Sequence, residues 1–191
     1  MSITITDEMH RRAEQEANKR DPYINHHFEV GHLTGGERDI IGFLGEFACC
    51  EYLGINWKDN IRENYLTIDH GDINKNVIID IKTETIPNSS PNKYFHRVFN
   101  KTIHDDETFG RRLIHENQMG LLENYQYVIW GAFVRDTYNK WYALGYLDTE
   151  TILREYSPTS ERPDGGRYPF PALPIRTSQL KDMRELQRMI R

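Results

Sequence analysis

Asp80 and Lys82 stand two residues apart in the run Val77-Ile78-Ile79-Asp80-Ile81-Lys82-Thr83, which is otherwise β-branched and apolar. On a strand that spacing sends both side chains off one face, while Val77, Ile79 and Ile81 line the other. A carboxylate and an amine on an interior strand are costly to bury unless paired or coordinated. An acid-x-Lys triplet also suits a strand-end salt bridge, but of the eight lysines Lys82 alone has an acid two residues before it. Asp72 precedes Asp80 across a turn at Asn74-Lys75-Asn76, and a hairpin of that length sets the two carboxylates side by side. Neighbouring carboxylates repel and raise each other's pKa unless a cation joins them. Oxygen donors of this kind suit Mg²⁺ or Mn²⁺, with water filling the remaining positions. Glu46 adds a third acid, one helical turn from Phe43 and Cys50 and beside Gly42 and Gly45.

The elements that must position these groups follow from periodicity and punctuation. Ile40, Phe43, Leu44, Phe47 and Ala48 recur at helical intervals over Glu37 to Leu53, and Gly54 marks the stop. Gly42 and Gly45 each cost this helix about 1 kcal/mol relative to alanine; both are expected to let its backbone lie close against a sheet. Thr67 to Ile73 and Asn76 to Glu84 read as paired strands, and Trp57 to Leu66 as a further strand. Tyr125 to Val134 and Trp141 to Leu147 read as a second hairpin across the polar turn Asp136 to Lys140. Ile5 to Lys19 is a polar helix expected at the periphery. Phe109 to Leu122 has helix-compatible spacing, Glu150 to Arg154 a short helix, Ser157 to Pro174 the composition of a surface loop, and Ser178 to Arg191 that of a charged helix. The expected fold is α/β: one domain with a central mixed sheet of four to five strands flanked by helices.

The segments Gly42-Phe43-Leu44-Gly45-Glu46-Phe47-Ala48, Gly71-Asp72 and Ile79-Asp80-Ile81-Lys82-Thr83 together resemble the PD-(D/E)XK, or restriction-endonuclease-like, superfamily, in particular its small phage and bacterial members. The similar region runs from about Glu37 to Leu147 within a single domain of 1–191, with the N-terminal helix and the C-terminal loop and helix outside that core. Gly71 stands where the family pattern has proline, which affects the turn and not the ligand. The resemblance implies a Mg²⁺- or Mn²⁺-dependent phosphodiesterase, with DNA endonuclease as the expected activity. Asp72, Asp80 and the Ile81 carbonyl would hold the ion, and Glu46 would reach it directly or through water. Lys82 would orient or help deprotonate the attacking water and steady the charge of the transition state. The alternative is the same fold used without cleavage, as a nucleic-acid-binding protein or a subunit of a complex.

Composition bounds these readings. The chain of 191 residues carries a net charge of −5, against the basic stripe usual for a nucleic-acid binder. Arginine supplies 16 of the 24 basic residues, and it is the better phosphate fork. His26, His27 and His32 lie ahead of the Gly-Glu helix as a candidate base or substrate contact. Lys93, Tyr94, His96, Arg97 and Lys101, and the Arg111-Arg112 pair, are candidate nucleic-acid contacts. Cys49 and Cys50 are neighbours unable to join in normal disulfide geometry and read as reduced core residues. Met1 to Arg20 has no apolar signal region, and no apolar run nears the ~20 residues of a membrane span. A cytoplasmic protein with nucleic acid as partner and no membrane is expected, with a homodimer or larger complex left open.

Overall fold

Two apolar strands laid in parallel organise the molecule. The structure, a computed structural model, describes residues 2–20, 32–61, 71–74 and 76–190. β3 (Ile78–Ile86) carries the Asp80/Lys82 run, and β5 (Tyr127–Val134) lies beside it in parallel, Asp80 opposite Val128 and Lys82 opposite Trp130. β6 (Lys140–Asp148) returns antiparallel to β5 through the expected hairpin, and β1 (Ser2–Thr4) closes that side. β2 (Ile73–Asn74) pairs antiparallel with the start of β3. The resulting five-stranded mixed sheet has the order β1-β6-β5-β3-β2, so the α/β class with a central mixed sheet stands.

The Gly-Glu helix is α2 (Gly35–Leu53), opened by a Thr34/Glu37 capping box and ended by left-handed Gly54. Residues 43–50 are all buried on it, because it packs on the sheet below and on α1 (Asp7–Arg20) above. α1 buries Met9, Ala13 and Ala17 in the same core, at the spacing of one helix face. Its mostly polar sequence hid that narrow stripe. Even its buried Glu16 is satisfied, by Arg12 and Lys19 at 2.9 Å each. The helix therefore joins the core along one narrow face and leaves its other face exposed, as a polar peripheral helix would; β1 ahead of it went unforeseen.

Below the sheet the chain departs further from expectation. α3 (Pro91–Phe99) is followed by a strand, β4 (Arg111–His115), and only a short α4 (Met119–Leu122) stands where a longer helix was expected. β4 joins β7 (Thr159–Glu161) and β8 (Arg167–Arg176) in a second, three-stranded sheet of order β4-β8-β7. The Pro-rich segment thus supplies strands and not a surface loop. Pro169 and Pro171 fall where the β7–β8 register shifts between its two paired positions, and proline is tolerated where ladder bonds are already interrupted. α5 (Thr149–Glu155) and α6 (Met183–Met189) complete the chain. Trp57–Asn60 is a 3-10 turn and not a strand; the rest of that expected strand, and positions 67–70 of the next, lie outside the described residues.

Side chains alternate across β3 into two cores. Ile79 and Ile81 join the cluster that contains α1 and α2, whereas Ile86 joins Val128, Trp130, Ile114, Leu173 and Ile175 on the side of the second sheet. The main sheet is the middle of three layers. None of the described helices is long and apolar enough to cross a membrane.

Candidate active site on the edge of β3

Asp80 and Lys82 leave β3 toward the second sheet, as strand alternation requires. Asp80 is 7% exposed, and Lys82 Nζ lies 3.1 Å from its Oδ1 and 2.8 Å from its Oδ2. The ammonium thus provides the compensation that a buried carboxylate demands. Glu84, two residues further on the same face, forms an ion pair with Arg112, which also donates to the Tyr94 hydroxyl. Arg112 is 2% exposed and its guanidinium stands 5.8 Å from the Tyr94 ring centre and 5.9 Å from that of Phe109. Burial pushes the Glu84 carboxyl up, and Arg112 pulls against it.

Asp72 arrives from a different direction. Gly71, at φ +64°, turns the chain so tightly that a Cβ there would meet the Ile79 carbonyl oxygen at 2.9 Å; that is the local reason for glycine before the acid. The Asp72 N–H then donates to the Ile79 carbonyl (2.7 Å), and Asn60 Nδ2 donates to the Asp72 carbonyl (2.7 Å). Its Oδ2 accepts the Ile81 N–H at 2.6 Å. The paired ladder ends at Ile73–Ile79; beyond it Asp72 bonds through its backbone to Ile79 and through its carboxylate to Ile81, the two residues that flank Asp80. The hairpin therefore places the two aspartates as neighbours, with the Ile81 backbone between them on the strand edge.

Glu46 is inward-facing and 6% exposed on α2, which packs with Ile79 and Ile81 of β3 in one core. The Glu46 and Asp72 carboxylates both bear on the buried Cys49 thiol, which is pushed up first by burial, then by Cys50, Asp72 and Glu46. Among the described residues, no three His, Cys, Asp or Glu side chains gather closely enough to hold a metal ion. Of the acids the sequence grouped, Asp72 bonds to both residues that flank Asp80 on the edge of β3.

α2 reaches β3 at Gly45, where a Cβ would stand 1.9 Å from Thr83 Oγ1. Gly42, by contrast, has nothing within 4 Å of its would-be Cβ. It lines a cavity of about 600 Å³ instead. That cavity opens on the edge of β3 from Ile81 to Thr85, with α2 on one side and β4 and β8 on the other. Arg20, Arg38, Lys82, Arg111, Arg112 and Arg135 line it against two acids, Asp39 and Glu84. In a chain of net charge −5, this concentration of cations in a concave, partly desolvated wall focuses positive potential at one place.

Of the other residues singled out in the sequence, His32 lines the cavity and its Nε2 lies 2.7 Å from Thr85 Oγ1. Burial and then Arg135 push its imidazole below the ordinary value. His26 and His27 lie outside the described residues. Arg97 is committed to Glu107, whose carboxyl the Arg97 hydrogen bond lowers to about 2; Lys93, His96 and Lys101 do not line the cavity. Arg38, Arg135 and Glu84 were missed. Only Glu84 left a trace in the sequence, as the next same-face residue after Lys82; the arginines converge from separate elements. No family model, no curated protein and no solved structure matches the chain.

Proposed function

We propose that the protein is a metal-dependent nuclease of the PD-(D/E)XK kind that hydrolyses phosphodiester bonds, with DNA as its substrate. The observation that carries the reading is the grouping of Asp72, Asp80, the Ile81 backbone and Lys82 at the edge of β3, next to a cavity that Ile81 and Lys82 line together with several arginines. Asp72, Asp80 and the Ile81 carbonyl would hold Mg²⁺ or Mn²⁺, which supplies Lewis acidity and a more acidic bound water. Lys82, now paired with Asp80, would turn toward the scissile phosphate and stabilise charge as it develops there. Arg38 and Arg135 would hold the flanking phosphates. Glu46 is assigned a supporting part through its shared neighbourhood with Asp72.

The reading is tested by incubating the protein with supercoiled plasmid and with RNA in Mg²⁺ or Mn²⁺. Nicking that requires the ion and falls ~100- to 1,000-fold in Lys82→Ala supports the nuclease. Cleavage that survives Lys82→Ala and Asp80→Ala, or no cleavage of any nucleic acid, removes it. A second reading rests on the cationic cavity alone: a protein that holds nucleic acid without cutting it. Tight binding with no hydrolysis in either metal selects that one.

A further inference from the structure

Trp130 lies opposite Lys82 in the β3–β5 ladder, so the two side chains leave the sheet on one face. Trp130 is 2% exposed and lines the cavity, yet its Nε1–H has no acceptor among the described residues. A buried donor of this kind costs stability until something satisfies it. The Trp141 indole N–H also lacks an acceptor there, but Trp141 packs against Gly131 and is not among the residues that line the cavity. Packing alone would be served as well by phenylalanine at position 130; the indole nitrogen is what remains to be explained.

Arg112 reaches the same cavity from β4. Its guanidinium pairs with Glu84, which follows Lys82 on one face of β3, and donates to the Tyr94 hydroxyl, but its Nε–H is buried without an acceptor. The Tyr94 and Phe109 rings beside it hold the guanidinium plane in place. An indole N–H, a guanidinium and an ammonium can only donate. The edges of nucleobases present donors as well as acceptors. The non-bridging oxygens of a phosphodiester only accept, and their charge makes each such hydrogen bond stronger.

We propose that Trp130 and Arg112 form a phosphate subsite beside Lys82, in which the Trp130 Nε1–H and the Arg112 Nε–H donate to the non-bridging oxygens of a backbone phosphate of the nucleic acid. The proposal deepens the nuclease reading and rests on it for the identity of the ligand. It gives a task to two buried donors that the fold leaves unsatisfied, and it places a second phosphate next to the one that Lys82 serves.

The test is proton–nitrogen NMR of the isotope-labelled protein in EDTA, so that binding is read without turnover. Each of the three tryptophans gives its own indole N–H signal, and the one lost in Trp130→Phe is that of Trp130. Titration with a 5′-phosphorylated thymidine dinucleotide is expected to move the Trp130 indole proton downfield and to leave those of Trp57 and Trp141 in place. Thymidine, which has no phosphate, is expected to move none. Trp130→Phe keeps a ring and removes the N–H; Arg112→Lys keeps the charge and removes the fork. Each is expected to raise the dinucleotide midpoint, read on backbone amides, by ~10-fold. If Arg112→Lys unfolds, Trp130→Phe alone decides. An unmoved Trp130 indole, an equal shift with thymidine, a response to inorganic phosphate with none to the dinucleotide, or wild-type affinity in Trp130→Phe overturns the proposal. Lys82-dependent plasmid nicking with the Trp130 indole unmoved removes this proposal and keeps the nuclease. A shifted indole with no hydrolysis in Mg²⁺ or Mn²⁺ does the reverse.

Discussion

Replacing Gly45 by alanine sets a methyl carbon 1.9 Å from Thr83 Oγ1, 2.8 Å from Thr83 Cβ and 3.1 Å from Cγ2. Carbon contacts settle at about 3.5–4.0 Å, so the helix must retreat from β3 by roughly 1 Å. Thr83 offers little relief, since a β-branched side chain on a strand has few rotamers and its Cβ is fixed by the backbone. Overpacking of this kind costs ~1–3 kcal/mol, while alanine in place of glycine returns about 1 kcal/mol of helix propensity. Gly42, three residues earlier on the same helix, has open space around it, so Gly42→Ala should keep the propensity gain and stabilise by ~0.5–1 kcal/mol. Propensity cancels between the two variants, and their difference of ~1–3 kcal/mol isolates the α2–β3 contact. Urea denaturation of both variants, with m-values compared to confirm an unchanged unfolding transition, measures it. Adding Thr83→Ala to Gly45→Ala should recover part of the loss. Equal stabilities for Gly42→Ala and Gly45→Ala would refute the reasoning, because the glycine would then not be the point of closest approach.

Other consequences are open to simple assays. Cys49 and Cys50 are fully buried and the Cys49 thiol is pushed up by burial and by neighbouring negative charge, so a thiol reagent at pH 8 should label neither until the chain unfolds; rapid labelling of the folded protein would contradict the packing of α2. Asp148 caps α5 through the Thr151 N–H and accepts Lys181 Nζ at 2.7 Å. Burial pushes its carboxyl up, but these hydrogen bonds outweigh burial and hold it well below the usual carboxylate range. A lowered folded pKa contributes stability above the unfolded value of about 3.9 and loses it as pH falls through the folded one. Asp148→Asn should therefore cost about 1 kcal/mol at pH 7, with the gap to wild type closing only in strong acid; a gap that persists unchanged at pH 2 would count against the ion pair.

The two parts of the molecule that were legible in the sequence are those in which one pattern dominates. α2 announces itself by helical recurrence and a glycine stop, and the β5–β6 hairpin by two apolar runs around a polar turn. The neighbourhood of Asp72, Asp80 and Lys82 was legible too, since strand alternation and hairpin length are local geometry. Less was legible where long-range pairing overrides composition. β8 contains three prolines and still forms ladders, because β4 pairs with its C-terminal half. The cationic cavity was hidden for a related reason: its arginines come from α1, α2, β4 and the β5–β6 turn, and no sequence window contains them.

The claim on which the account depends is that the two neighbouring aspartates perform the chemistry and do not merely hold the hairpin. Single-turnover cleavage of an end-labelled oligonucleotide in Mn²⁺, with binding of the same oligonucleotide measured alongside, tests it most directly. Asp72→Asn and Asp80→Asn should each slow cleavage by ~100-fold or more while the affinity for the strand is held or raised. Cleavage at the wild-type rate by either variant, or affinity that falls in step with the rate, would contradict it.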